Sequence, residues 1–153
     1  MSDKTLVTLD IFAHGVDVYE GDFLIIQGEA GLGKSKILKE CFRRFPDQCH
    51  FLIQTDKPVV WQNINILRVA LENKNVYLFD EPTDVQMDRE FRMETLRLIV
   101  DLHDQMKTII MATHDPAAIE LGTRIIELKE DKTFINHGVG LHHIRPYGRL
   151  DIT

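Results

Sequence analysis

The chain has 153 residues, 44% of them hydrophobic, with 24 acidic against 18 basic residues and a net charge of −6. That size and composition predict one compact soluble domain with a real core, residues 1–153, closed by a tail from residue 137. They exclude a bilayer-spanning segment, a secretory leader at the N-terminus and a surface built as a whole to coat nucleic acid or an anionic membrane. A local basic face stays open: Lys34, Lys36, Lys39, Arg43 and Arg44 cluster, and beyond Lys34 they read as a solvated helix face. Cys41 and Cys49 have no ligand or redox spacing and read as small core residues in a reducing, cytoplasmic compartment.

In chain order, Thr5 to Ile11 alternates as a strand, and Gly15 and Gly21-Asp22 bracket a second short strand at Val16–Tyr19. Phe23-Leu24-Ile25-Ile26-Gln27 is a buried strand, and Lys36 to Phe45 is a helix stopped by Pro46. Between them runs Gly28-Glu29-Ala30-Gly31-Leu32-Gly33-Lys34-Ser35, which satisfies G-x-x-x-x-G-K-[ST]. Glycines at these positions let successive backbone N–H groups converge on a phosphate. Lys34 adds charge for the β and γ phosphates of a nucleotide, Ser35 offers a hydroxyl to Mg²⁺, and a helix beginning near Gly33 aims its positive end at the same place.

Cys49 to Gln54 reads as the next strand, and Ile64, Leu67, Arg68 and Leu71 predict a helix of about three turns closing near Asn73. Val76–Phe79 is an apolar strand ending in Asp80-Glu81-Pro82-Thr83. Asp88 to Asp104 is an amphipathic helix, and Thr108 to Ala112 is a strand ending in Thr113-His114-Asp115. Asp115-Pro116 caps and opens a short helix. Arg124–Leu128 is a strand, with Lys132–Asn136 as an edge hairpin partner.

Strands therefore alternate with helices, and the middle strands are apolar throughout. This predicts a mostly parallel sheet covered on both faces, with ligands at the carboxyl ends of its strands. Three such ends carry polar groups. Asp80 fits the carboxylate that holds Mg²⁺, Glu81 is placed to orient or deprotonate a water, and His114 to contact a γ-phosphate. Gln54, at a fourth strand end, is a further candidate for the metal or water. His137, His142 and His143 lack partners at metal-site spacing and read as ordinary tail histidines.

These segments resemble the ATP-binding cassette (ABC) ATPases. Gly28–Ser35 matches their Walker A motif, Tyr77 to Thr83 their Walker B motif, and Met111 to Asp115 their switch-histidine segment. Phe51–Gln54 is similar to the strand entering their glutamine loop, and Arg68–Leu71 to the helix before Walker B. The resemblance implies an α/β, three-layer P-loop NTPase fold with a small antiparallel N-terminal β portion. It implies ATP and Mg²⁺ as ligands, with Glu81 and His114 catalytic.

The chain departs from the family where residues 36 to 75 replace a longer helical subdomain and no L-S-G-G-Q signature is present; Trp61 to Asn65 stand at that place. Asp88 is shifted by one residue from the family's D-loop aspartate, and no aromatic stands clearly where the family stacks adenine, Phe12 being a weak candidate. The leading expectation is a reduced, slow ATPase, completed by a second copy or a partner protein. The alternative is a nucleotide-dependent switch or assembly subunit with negligible turnover. A P-loop kinase using Arg89, Arg92 and Arg97 as a lid is a third reading.

Overall fold

The computed structural model describes residues 4–53 and 64–137. Strands β1 (Thr5–Ile11) and β2 (His14–Tyr19) form a two-stranded antiparallel sheet, with Phe12 and Ala13 at the turn. The main sheet contains β3 (Phe23–Gln27), β4 (Cys49–Ile53), β5 (Val76–Asp80), β6 (Thr108–Ala112), β7 (Arg124–Leu128) and β8 (Phe134–His137). Its order is β4-β5-β6-β3-β7-β8, parallel except for β8, which runs antiparallel to β7. The helices are α1 (Lys34–Arg44), α2 (Ile64–Ala70), α3 (Arg89–Asp104) and α4 (Pro116–Ile119).

Alternation along the central strands divides the interior in two. Leu24, Ile26, Val76, Leu78, Ile110 and Ala112 pack with Leu38 and Cys41 of α1 and with the β1–β2 hairpin. Phe23, Ile25, Tyr77, Phe79, Ile109 and Met111 pack with Leu67 of α2, Leu96 and Ile99 of α3 and Ala118 of α4. A strand points successive side chains to opposite faces, so a strand covered on both sides must be apolar at every position. β5 and β6 are buried at every residue. The result is a layer of α1 and hairpin, a sheet, and a layer of α2, α3 and α4.

Most expected elements occur within a residue or two. Helix α1 begins at Lys34 rather than Lys36, because left-handed Gly33 is its N-cap. β2 starts earlier, at His14, and β8 lies two residues later than the expected hairpin partner, so that His137 is its last residue and not the first of a tail. Helix α2 is a correction: it is seven residues long and ends at Ala70, not near Asn73. The Tyr77 hydroxyl donates to the Glu72 carbonyl at 2.5 Å and accepts from the Lys74 amide at 3.2 Å, which turns the chain out of the helix and into β5. Cys41 and Cys49 are buried and unbridged, as expected of core thiols; the neighbouring Cys41 sulfur, with burial, pushes the Cys49 thiol pKa up.

One close approach fixes the α4 layer. At Gly122, between α4 and β7, an added Cβ would sit 2.5 Å from Cγ1 of Ile25 in β3.

Candidate functional site

The carboxyl ends of β3, β5 and β6 lie level, since Ile26 pairs with Ala112 and Ala112 with Asp80. Three loops therefore leave the sheet side by side. The Glu81 amide donates to the Ala112 carbonyl at 2.8 Å and the Thr113 amide to the Ile26 carbonyl at 3.2 Å, which carries the registry one residue past the strands.

The loop after β3 wraps the start of α1. Gly31 and Gly33 have φ values of 86° and 96°, in the left-handed region where a Cβ is costly, so glycine is the residue type that fits the curl. Asp80 continues the row of Val76 and Leu78, whose side chains meet the α1 layer, and α1 begins at Lys34. Strand alternation thus sends the Asp80 carboxylate to the side where the loop lies. Lys34, itself buried, donates to the Gly28 carbonyl, and its Nζ is 3.7 Å from Oε1 of Glu81. Nδ1 of His114 donates to that same Oε1 at 2.9 Å. Glu81 adopts φ 48°, a left-handed value that is uncommon for a residue with a side chain.

Gly28, Glu29, Ala30, Gly31, Gly33, Lys34, Ser35, Asp80, Glu81 and His114 line one cleft of about 1020 Å³. Leu32 instead lines a second cleft of about 630 Å³ on the hairpin side, together with Phe12, Gly31, Gly33 and Lys36. Among the residues singled out in the sequence, Gln54, His142 and His143 lie outside the described residues. His137 is accounted for, its Nε2 donating to Glu127 at 3.0 Å. Asp88 caps α3, accepting from the Phe91 amide at 3.0 Å. Lys36, Lys39 and Arg43 line the outer wall of the large cleft, where Arg43 is paired to Glu40. At its other side Glu29 lies against Glu130, and the hydrogen bond between the two carboxyls pushes the Glu130 pKa up.

Two carboxylate oxygens in the cleft, Oδ2 of Asp80 and Oε2 of Glu81, are buried without a hydrogen-bond partner. An orphaned buried carboxylate oxygen is expensive and calls for a cation. Together with the Ser35 hydroxyl these oxygens fit a hard divalent ion such as Mg²⁺, which takes one or two protein ligands and completes its shell with phosphate and water. No group of three or more His, Cys, Asp or Glu among the described residues is arranged to hold a metal unaided.

The sequence reading missed a second polar cluster behind this cleft. Asp115 was legible only as the cap of α4, and it does accept from the Ala117 amide at 3.1 Å. Its carboxylate also accepts from the Thr83 hydroxyl at 2.7 Å and from Nε and Nη2 of Arg92 at 3.0 and 2.5 Å. Burial alone raises the Asp115 pKa, but the Arg92, Thr83 and Ala117 hydrogen bonds outweigh it and hold the carboxyl below its usual range. Arg92 is thereby engaged by Asp115. Nothing in a single sequence says which carboxylate the guanidinium meets.

A left-handed glycine cradle at the head of a parallel-sheet strand, beside an acid and a histidine from two neighbouring strand ends, defines a P-loop nucleotide-binding protein class. Within it, the fold is that of the ABC ATPases. A bacterial Atm1-family ABC exporter with ATP bound aligns over 84% of this chain and 38% of that one, with a TM-score of 0.62 and 15% identity. The ATP-binding cassette MJ0796 in a dimeric, post-hydrolysis state with ADP and Pi aligns over 86% of this chain and 98% of that one, with a TM-score of 0.61 and 17% identity. The cassette cbiO1 from Clostridium perfringens gives a TM-score of 0.63 at 13% identity, over 88% of each chain.

By sequence, 69 residues are 41% identical to the macrolide export ATP-binding/permease protein MacB of Bradyrhizobium diazoefficiens and 39% identical to a MacB protein of Yersinia pestis. That segment is 45% of this chain and 10% of the length of those relatives. No family model matches the chain. Likeness in fold over most of the chain and likeness in sequence over part of it together support the ABC ATPase family. No helix among the described residues is long and apolar enough to cross a membrane.

Proposed function

We propose that this chain binds ATP with Mg²⁺ in the cleft beneath Gly28–Ser35 and hydrolyses it to ADP and phosphate. The observation that carries the reading is a pair of unpartnered buried carboxylate oxygens, on Asp80 and Glu81, in the same cleft as the Lys34 ammonium. A partly buried space that holds both an ammonium and carboxylate oxygens without partners favours a ligand that bears both a phosphate and a cation.

In this reading Lys34 exchanges its contacts with Gly28 and Glu81 for the β and γ phosphates. The backbone N–H groups of the loop and the start of α1 close around them. Ser35 and Asp80 would hold Mg²⁺, which neutralises charge developing between the phosphates. Glu81 takes the proton of the attacking water on its carboxylate. His114, hydrogen-bonded to Glu81 Oε1, steadies that carboxylate and reaches the γ-phosphate. The cleft lined by Phe12 receives the base, with the Phe12 ring as the stacking surface.

The chain offers no L-S-G-G-Q segment to close the site of another copy. Turnover is therefore slow alone and rises when a second copy or a partner protein brings a positive group to the γ-phosphate, an effect of about 10³-fold or more in related chemistry. The decisive assay compares phosphate release and ATP affinity for the wild type, Lys34→Ala and Glu81→Gln. Hydrolysis lost in both variants, with ATP still bound by Glu81→Gln, is the expected outcome. ATP binding with no phosphate release from the wild type would assign the chain to nucleotide-dependent switching, and no binding at all would refute the reading.

A further inference from the structure

We propose that Arg92 is a positioning residue for this hydrolysis: through Asp115 it sets where Glu81 and His114 stand relative to each other. The inference rests on the hydrolytic reading above and adds to it a residue outside the cleft.

Glu81 and His114 sit on different loops, and their side chains meet in one 2.9 Å hydrogen bond that is open to solvent, His114 being an exposed residue. An exposed contact of this kind does not hold two loops in place by itself. What ties the loops together beyond the main-chain bond from Glu81 to Ala112 is buried behind them. Thr83, two residues after Glu81, donates its hydroxyl to Oδ2 of Asp115, one residue after His114. Thr83 is 0% and Asp115 1% exposed. Thr113 accepts the Asp115 amide on its hydroxyl at 3.0 Å, and its own amide reaches β3.

A buried carboxylate keeps such a geometry only if its charge is compensated, and the compensating group is the Arg92 guanidinium from α3. Its two-pronged contact fixes the orientation of the carboxylate as well as its charge. Helix α3 thus acts on the reacting groups without touching the nucleotide. Small misplacements of catalytic groups are costly, about 10²-fold in rate for 1 Å.

The test uses the full chain with Mg–ATP and compares the wild type, Arg92→Gln, Arg92→Lys, Thr83→Val and Glu81→Gln, each assayed below its own melting temperature. Arg92→Gln is expected to lower kcat by about 10- to 100-fold while KM stays within about threefold. Arg92→Lys, which keeps the charge and loses the fork, should recover only part of the rate. Thr83→Val keeps the buried ion pair and the side-chain shape, so it remains a valid arm if Arg92→Gln does not fold, and it is expected to lower kcat with KM unchanged. The ring ¹⁵N resonances of His114, assigned with His114→Ala, should shift in Arg92→Gln and Thr83→Val, a change that general destabilisation would not produce.

Wild-type kcat and an unmoved His114 resonance in Thr83→Val and Arg92→Gln overturn the inference while leaving the hydrolytic reading intact. A wild type no faster than Glu81→Gln overturns the hydrolytic reading instead, and the His114 resonances then still decide whether Arg92 governs the geometry.

Discussion

Asp80 and Asp115 are both aspartates at the same edge of the same sheet, and both are almost fully buried, at 3% and 1% exposure. Their surroundings differ completely. Asp115 accepts four hydrogen bonds from three residues, two of them from a guanidinium, whereas Oδ2 of Asp80 accepts none. The same contrast runs through the neighbourhoods. The cleft holds an exposed histidine, a glutamate in a left-handed conformation and a lysine bonded to a main-chain carbonyl. The cluster behind it is closed and satisfied. A burial that is compensated serves the fold, and a burial left uncompensated is the mark of a group waiting for a ligand.

The comparison can be broken at either carboxylate. The largest effect is expected beside Asp80: Glu81→Gln should reduce phosphate release by about 10²- to 10⁴-fold with ATP still bound, measured by single-turnover assay and calorimetry. Next comes the opposite response of the two aspartates' environments in unfolding experiments. Arg92→Leu leaves the Asp115 charge buried without a counter-charge and should cost about 3 kcal/mol of stability. Asp80→Asn removes an uncompensated charge and should leave stability unchanged or raise it, while abolishing the Mg²⁺ dependence of ATP binding. Equal destabilisation by both would end the distinction drawn here.

Acid titration gives a smaller and more specific signal. The Asp115 pKa is lowered in the folded chain, so its stabilising contribution is complete above the ordinary aspartate value of about 4 and is lost as pH falls towards the folded value. Denaturant unfolding at about pH 7 and about pH 3 should therefore show a greater loss for the wild type than for Asp115→Asn. The smallest change is expected at Glu81→Gly, which relieves the left-handed backbone and should stabilise the apo chain by about 0.5 kcal/mol, read from the denaturation midpoint.

Much of this was legible in the sequence because it follows from periodicity and local chemistry. Residues 23–26, 76–79 and 109–112 are apolar without interruption, which only a strand covered on both faces requires, and each lies in a central strand. Asp115-Pro116 announces a helix start by capping chemistry alone, and α4 starts there. The early end of α2 was not legible, since the chain beyond it is held by the Tyr77 hydroxyl of β5 bonding back to Glu72. The left-handed Glu81 was not legible either, because no local propensity favours that conformation in glutamate. The Arg92–Asp115–Thr83 cluster joins residues 23 and 32 positions apart, and such pairings depend on how the layers meet.

Gly122 bears on all of this from a distance. With 2.5 Å between a virtual methyl there and Ile25, α4 and β3 are seated with no clearance. A single added carbon at that seat acts as a wedge under the short helix whose first residue follows Asp115. The seat of α4 is thus set by a missing methyl group, and the loop that carries His114 runs straight into that helix.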